Sequence, residues 1–147
     1  MLVDFAGAAD LEPMADLLHE LFTLESDFQP QRQKQLAALR WILDHPHHAQ
    51  LFVLREAGRV VGMANALISV STAEGGPVLI LEDLILAASH RGAGHGRRLV
   101  ERVMAWAAAA GMSRVTLLVD QDNQAALSFY ARLGFQPSAM RVLRKGL

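Results

Sequence analysis

The stretch Val78-Leu79-Ile80-Leu81-Glu82-Asp83-Leu84-Ile85-Leu86, followed by Arg91-Gly92-Ala93-Gly94-His95-Gly96, decides the fold of this chain. The first part is an apolar run typical of a buried strand, and a helical pattern begins near Arg97. Glycines at alternate positions in the connecting turn allow backbone N–H groups to point into one concavity. The start of the following helix adds its positive dipole end and its free N–H groups. The strand, turn and helix together predict a site for a pyrophosphate.

The spacing of this turn separates three classes of phosphate-binding loop. A Walker loop ends in Gly-Lys-Ser/Thr, whereas Gly96 is followed by Arg97 and Arg98. A dinucleotide fingerprint, G-x-G-x-x-G, requires a third glycine at position 97, which is arginine. The remaining pattern, Arg/Gln-x-x-Gly-x-Gly/Ala after a strand, is met by Arg91, Gly94 and Gly96. It resembles the acyl-CoA pyrophosphate loop of the GNAT superfamily of N-acetyltransferases.

A second segment resembles the same superfamily. Val115–Val119 predicts a buried strand. Asn123 then begins an Asn-x-x-Ala helix start, which continues through a Phe-Tyr pair to a Leu-Gly-Phe exit at Phe135. Asp122 or Asn123 is expected to cap this helix, and Gly134 supplies the left-handed residue that ends it. The two segments occur in the order found in the superfamily.

Size and composition indicate one α/β domain over residues 1–147. The chain is 52% hydrophobic and 20% charged, which suits a compact core. No apolar run approaches the roughly 20 residues that span a bilayer, and Met1–Phe5 lacks the features of a secretory signal. We therefore expect a cytoplasmic protein with no membrane partner. The absence of cysteine excludes disulfides, thiolate metal sites and a thioester on the enzyme, which favours direct acyl transfer.

Charge is divided unevenly along the chain. Residues 1–86 carry a net charge of −7, and residues 87–147 carry +6. The positive half contains the proposed CoA loop, which suits a polyanionic ligand, and the negative half favours a cationic acceptor. Alternatively, arginines typical of the superfamily make one half positive and the remainder is ordinary solvated surface.

Hydrophobic periodicity predicts a mixed sheet interrupted by helices. The expected elements are a strand at Leu2–Phe5, a helix from Asp10 to Phe22, a connector at Thr23–Pro30, a helix at Gln31–Asp44, strands at Leu51–Leu54 and Val60–Ile68, a loop at Ser69–Pro77, a strand at Val78–Leu86, a helix at Arg97–Ala110, a strand at Val115–Val119, a helix from Gln124 and a last strand at Met140–Leu143. This order is that of the GNAT fold, an α/β architecture with a central mixed, mostly antiparallel sheet flanked by helices.

The resemblance implies roles for three side chains. Glu82 is a general-base candidate, and Tyr130, the only tyrosine, is the group that protonates the leaving thiolate. Strand alternation places Glu82 and Asp83 on opposite faces, so at most one normally faces the acceptor. The resemblance also assigns Asn123 to the pantetheine arm. The structural alternatives are a hydrogen-bonded carboxylate, a core aromatic and a helix cap.

The same resemblance gives an expected layout of the CoA site, and the acceptor pocket is expected from the irregular segments outside the stretch used for CoA. The backbone of Leu84, Ile85 and Leu86 would hold the pantetheine arm, and residues 92–97, including Ala93 and His95, would hold the pyrophosphate. The acceptor pocket is expected from residues 20–30 and 69–77 above Glu82. Its ammonium-binding residues would be Glu25, Asp27, Glu82 and Asp83, with Phe28 beside the carbon chain.

The predicted activity is therefore transfer of an acetyl group from acetyl-CoA to a primary amine. Small cationic amines such as polyamines are the leading acceptors, and protein N-termini or lysines are the alternative. A non-catalytic acyl-CoA-binding sensor is the second class of function. The histidines at 45, 47 and 48 lack the spacing of a zinc site, so we expect no metal, and no nucleic-acid motif is present. A homodimer is expected from the resemblance, with Met140, Val142 and Leu143 in an edge strand.

Overall fold

A five-stranded sheet forms the centre of the structure, a computed structural model that describes residues 1–147. In chain order, the elements are β1 (Leu2–Phe5), α1 (Leu11–Leu24), α2 (Arg32–Asp44), β2 (Ala49–Glu56), β3 (Arg59–Ser71), β4 (Gly76–Leu86), α3 (His95–Ala109), β5 (Val115–Leu117) and α4 (Gln124–Arg132). The strands lie in sequence order; β1 to β4 are antiparallel, and β5 pairs in parallel with β4. The predicted α/β class, with a mixed and mostly antiparallel sheet, is confirmed.

Helices cover both faces of the sheet because the strands alternate apolar residues on both sides. Leu51 and Val53 of β2 pack in one cluster with α1 and α2, whereas Phe52 packs on the opposite face with Leu99 and Val103 of α3. All five side chains are buried. Complete burial of each such side chain contributes about 1.5–3 kcal/mol to the stability of the folded state. Strand β4 also packs on both sides, with Ile85 in the cluster of α1 and α2 and Leu81 in the cluster of α3.

The β3–β4 ladder contains a bulge beside the sequence-predicted site. Asn65 pairs with Asp83 and Ala66 pairs with Leu81, so Glu82 has no partner on β3. The extra residue shifts the alternation by one. As a result, Leu81 and Leu84, three positions apart, both pack on the α3 side of the sheet, and Ile85 packs on the α1 side.

The predicted loop at Ser69–Pro77 is wrong. Strand β3 continues to Ser71 and β4 begins at Gly76, which leaves only residues 72–75 as a turn. Gly75 has a φ of 77° and donates its N–H to the Ser71 carbonyl at 2.9 Å. The Gly-Gly pair therefore closes a tight hairpin turn rather than opening a long connection.

Three other predicted boundaries also change. Helix α3 begins at His95, directly after Gly94, rather than near Arg97. Strand β5 is limited to Val115–Leu117. The predicted last strand at Met140–Leu143 is wrong, since residues after α4 form no strand and Met140 is 89% exposed. A short apolar alternation does not form a strand without a partner to pair with.

One buried ion pair ties β2 to the start of α1. Both carboxylate oxygens of Asp10 accept hydrogen bonds from the Arg55 guanidinium at 2.7 Å. One of them also accepts the Gly7 N–H at 2.8 Å. Asp10 is 5% exposed, and the hydrogen bonds from Arg55 lower its pKa despite this burial. No helix of the structure is long and apolar enough to cross a bilayer.

Candidate active site

A cleft opens where the parallel pair of β4 and β5 comes apart. The two strands pair only from Leu79 to Leu81 and from Val115 to Leu117, and they separate beyond these residues. The separation leaves a cavity of about 380 Å³ between the end of α1, the middle of β4, the end of β5 and the start of α4. Its wall consists of Leu21, Leu24, Glu25, Leu81, Glu82, Leu84, Ile85, Arg91, Leu118, Val119, Asp120, Asn123, Ala125, Ala126 and Tyr130. A cavity at the carboxyl end of parallel strands is a common ligand site in sheets of this kind.

The bulge in β4 places Glu82 in this cleft. Glu82 is exposed and lines the cavity, at the level where β4 loses its partner β5. Because Glu82 has no partner on β3, its side chain is not fixed by the ladder alternation. The structure thus brings a solvent-accessible carboxylate into an otherwise apolar strand, and it does so at a position that strand periodicity alone does not predict.

Asp83 occupies a different environment from Glu82. It does not line the cavity, and its Oδ2 accepts a hydrogen bond of 3.2 Å from Nδ2 of Asn65, which is itself 7% exposed. The pKa of Asp83 is raised to about 6, mainly by burial; the Asn65 hydrogen bond opposes this shift, and the Glu82 charge adds to it. Of the two neighbouring carboxylates, only Glu82 lines the cavity.

Glu25 brings a second carboxylate into the cleft from the end of α1. Its backbone N–H donates to the Leu21 carbonyl at 3.0 Å, which keeps the residue against the last turn of the helix. Burial raises the pKa of Glu25 to about 7, and the negative charges of Asp83, Asp120, Glu82 and Asp27 add to the shift. The cleft therefore has several carboxylates in its wall, from the end of α1, from β4 and from the residues after β5.

Tyr130 and Asn123 form the α4 side of the cleft. The Tyr130 ring packs edge-on against Phe129 at 5.0 Å and against Phe135 at 5.5 Å between centroids. Burial, with a contribution from the Glu25 charge, raises the pKa of Tyr130 to about 12, so its hydroxyl keeps its proton at neutral pH. Oδ1 of Asn123 accepts the Ala126 N–H at 3.0 Å, which confirms the predicted helix cap.

The glycines of the turn have two distinct uses. Gly92 and Gly94 have φ values of 81° and 82°, and a Cβ on either would meet no atom within 4 Å. This open, left-handed backbone leads directly into the N-terminus of α3, as an anion-binding turn requires. Gly96 differs, because a Cβ there would lie 3.3 Å from Cζ of Phe129. Its lack of a side chain lets α3 and α4 approach closely.

The arginines of the turn are partly neutralised. Arg91 donates to the Leu86 carbonyl at 2.9 Å and to Oε2 of Glu20 at 2.7 Å, so it joins the turn to β4 and α1. Arg97 pairs with Glu101 one helical turn later at 2.7 Å, with its side chain 60% exposed. Arg91 thus lines the cavity mainly as a structural clamp, and its charge, like that of Arg97, is already paired with a glutamate.

Two predicted acceptor residues lie beside the cavity rather than in its wall. Nη1 of Arg144 approaches Oδ2 of Asp27 at 2.5 Å, and the same guanidinium lies 5.3 Å from the centre of the Phe28 ring. Phe28 also packs against Phe22, with 5.6 Å between centroids. The 72–75 turn lies at the start of β4, and none of its residues lines the cleft. The expected contribution of residues 69–77 to the acceptor pocket is therefore wrong.

Sequence reasoning missed two polar residues of this region. Asp120 lines the cavity and accepts the Ser26 N–H at 3.4 Å, which connects the loop after α1 to the end of β5. Its position just beyond a buried parallel strand is the signal that could have identified it. Asn65 lies within a long apolar strand, and its Oδ1 is buried with no hydrogen-bond partner. A lone amide in such a run was the available signal.

Comparison with known proteins identifies the same segments. The model of the acetyltransferase (GNAT) family matches residues 11–135. An uncharacterized N-acetyltransferase of Bacillus subtilis is 29% identical over 127 residues, which cover 86% of this chain and 47% of the relative. One from Mycobacterium tuberculosis is 36% identical over 104 residues, 71% of this chain and 63% of the relative. The chain therefore spans between about half and two thirds of the length of these curated relatives.

The fold is also that of solved acetyltransferases. The aminoglycoside N-acetyltransferase AAC(6')-Iy, solved in complex with CoA, superposes with a TM-score of 0.84 at 21% identity. The superposition covers 99% of this chain and 93% of that one. The architecture inferred from the strand, turn and helix pattern is thus found across nearly the whole chain.

Proposed function

The chain belongs to the acetyltransferase (GNAT) family, and we propose that it transfers the acetyl group of acetyl-CoA to a small cationic primary amine. The observation that carries the proposal is the cleft between β4 and β5, which brings Glu82, Glu25 and Tyr130 to one cavity next to the glycine-rich turn. The arrangement provides a negative surface for the acceptor and a protonated hydroxyl for the leaving group.

Acetyl-CoA binding is supported by two features of the backbone. Gly92 and Gly94 leave open space at the start of α3, where pyrophosphate oxygens would accept N–H groups of residues 92–97. The edge of β4 that faces the cleft has no strand partner beyond Leu81. Leu84 and Leu86, with Ile85 between them, would hold the pantetheine arm there as an added strand. Asn123 would contribute at the neck of the cleft.

The chemistry requires a neutral amine, whereas a free alkylamine has a pKa of about 10. Glu82 would accept the proton of the bound ammonium, directly or through a water molecule. The nitrogen then attacks the thioester carbonyl carbon, and the carbon–sulfur bond breaks. Tyr130, which holds its proton because its pKa is raised to about 12, would donate it toward the departing sulfur while a proton from nitrogen replaces it.

The acceptor class is inferred from charge. Glu25, Glu82 and Asp120 line the cavity, and its one cationic wall residue, Arg91, is paired with Glu20. An ammonium-bearing acceptor would be drawn to this surface, and an anionic one would be repelled. Asp27 and Phe28 would extend the acceptor site if Arg144 moved away from them.

A thiol-release assay with acetyl-CoA and a panel of acceptors tests this proposal, with product masses determined by mass spectrometry. The panel contains polyamines, monoamines, a peptide with a free N-terminus and a lysine peptide, all in the presence of EDTA because no step needs a metal ion. Acetylated small amines support the proposal. Acetylation of peptides alone indicates a protein acetyltransferase, and acetyl-CoA binding without thiol release on any acceptor indicates a binding module.

A further inference from the structure

Glu25 is held in the cleft by contacts on both sides. It follows the last residue of α1 and bonds through its N–H to Leu21, while the N–H of Ser26 reaches Asp120 at the end of β5. Glu25 and Glu82 line the same cavity, one from the end of α1 and one from β4. The two carboxylates thus face a common space that an acceptor amine would enter.

The charges around Glu25 come from every wall of the cleft. Glu82 and Asp83 lie on β4, Asp120 follows β5, Asp27 is on the same loop, and Tyr130 is on α4. The nearby cations are engaged elsewhere, because Arg91 pairs with Glu20 and Arg144 pairs with Asp27. No salt bridge neutralises Glu25, so an additional proton in this group of carboxylates relieves their mutual repulsion.

We propose that Glu25 and Glu82 act as a carboxylate pair that shares the proton removed from the acceptor, with Glu25 retaining it while the amine attacks. This inference rests on the proposed acetyl transfer and adds a catalytic residue to it. The negative charges of Glu82 and of the other carboxylates around Glu25 raise its proton affinity, so Glu25 accepts a proton more readily than an isolated glutamate. A proton acceptor works best when its pKa lies near the working pH, and burial together with the surrounding carboxylates raises the pKa of Glu25 to about 7.

All three protons of the acceptor ammonium are accounted for when this pair accepts one of them. The ammonium enters with three protons on nitrogen and gives one to the carboxylates. The nitrogen–carbon bond forms, the carbon–sulfur bond breaks, and a second proton passes through Tyr130 to the thiolate. The third proton stays on the amide, so the products are the acetylated amine, the CoA thiol and one protonated carboxyl. That carboxyl returns its proton to solvent before the next turnover.

The test compares Glu25→Gln with Glu25→Asp and with Glu74→Gln, which removes one negative charge from the β3–β4 turn far from the cleft. The pH profiles of kcat and kcat/KM are measured with the best amine. In the wild type, activity should fall as pH drops through about 7. In Glu25→Gln, kcat should fall at least tenfold at neutral pH. The fall of activity near pH 7 on the acid side of the profile should be lost, because the carboxyl whose pKa is raised to about 7 has been removed.

The controls separate a catalytic role from a binding role. Glu25→Asp should keep the acid limb near its wild-type position, Glu74→Gln should match the wild type, and all three should keep the wild-type affinity for acetyl-CoA. A Glu25→Gln variant with a raised acceptor KM but unchanged kcat and acid limb would overturn the pair, leaving Glu25 as a cation anchor. A wild type that acetylates no amine contradicts the proposed function itself rather than the pair.

A second measurement needs no activity. A carboxyl whose pKa is raised by folding destabilises the native state progressively as pH rises above its unfolded value, and the effect is complete above the raised value of about 7. Glu25→Gln should therefore be more resistant to thermal unfolding than the wild type in alkaline buffer, and this advantage should disappear in acid. Equal stability at both pH values would show that Glu25 is an ordinary solvated carboxylate and would overturn the proposal.

Discussion

Gly94→Ala is the sharpest test of the phosphate turn. Gly94 has a φ of 82° and is the residue before the first turn of α3, and a Cβ there would project into open space. If acetyl-CoA phosphates occupy that space, the added methyl group should keep them from the N–H groups of the turn. We expect the dissociation constant of acetyl-CoA to rise at least tenfold, which corresponds to about 1.4 kcal/mol.

The Gly94→Ala substitution also strains the backbone, so a second variant with the same strain is needed as a control. Any residue other than glycine at this φ costs about 1–2 kcal/mol of stability. Gly75 has a φ of 77°, also has no atom within 4 Å of a built Cβ, and lies in the β3–β4 turn. Gly75→Ala should therefore lose similar stability but keep wild-type affinity.

Ligand-dependent thermal unfolding and calorimetry measure both effects. At 100 times its wild-type dissociation constant, acetyl-CoA should stabilise the wild type and Gly75→Ala by about 2.7 kcal/mol. In Gly94→Ala, a tenfold weaker site reduces the stabilisation by the same concentration of acetyl-CoA to about 1.4 kcal/mol. Equal stabilisation of the two folded variants would refute the assignment of the turn to the pyrophosphate.

Three further predictions concern the acid, the buried ion pair and the assembly. Tyr130→Phe should fold and bind acetyl-CoA normally, but its kcat should fall by roughly 10²–10³-fold, as when an acid catalyst is removed. An unchanged kcat would mean that Tyr130 only packs against its neighbours. Asp10→Ala should lower the free energy of unfolding by about 3 kcal/mol, because it leaves Arg55 unpaired beside the core. Since folding lowers the pKa of Asp10, its stabilising effect exists at neutral pH and is lost as pH falls through the folded value, so urea titrations should show the two proteins converging in acid. A homodimer is expected from the family, with no C-terminal edge strand required; light scattering that gives a monomer at micromolar concentration would contradict it.

The features predicted from the sequence are those that depend on residues close together along the chain. The apolar run before Arg91, the alternate glycines and the Asn123 cap are all encoded within a few residues, and each is present in the structure. The order of strands and helices along the chain, apart from the last strand, followed from hydrophobic periodicity. These features are sufficient to identify the acetyltransferase family from the sequence.

Long-range pairing determined the features that the sequence did not predict. The bulge at Glu82 depends on the register between β3 and β4. In this register Asn65 of β3 pairs with Asp83 of β4, which lies eighteen positions later in the sequence. The Asp10–Arg55 pair joins residues 45 positions apart. The C-terminal residues formed no strand because no partner strand lies beside them, although their composition allowed one. Arg144 instead contacts Asp27, which no local pattern could indicate.

The pH dependence of Glu82→Gln tests the central claim most directly, namely that this cleft deprotonates a cationic amine for attack on acetyl-CoA. The variant keeps the size of the side chain and removes its ability to accept a proton. We predict that kcat/KM for the best amine falls at least a hundredfold near neutral pH. The loss should shrink as pH rises toward the amine pKa of about 10, because more acceptor then arrives neutral. A defect of constant size at every pH, or a best acceptor that is anionic, would contradict the account.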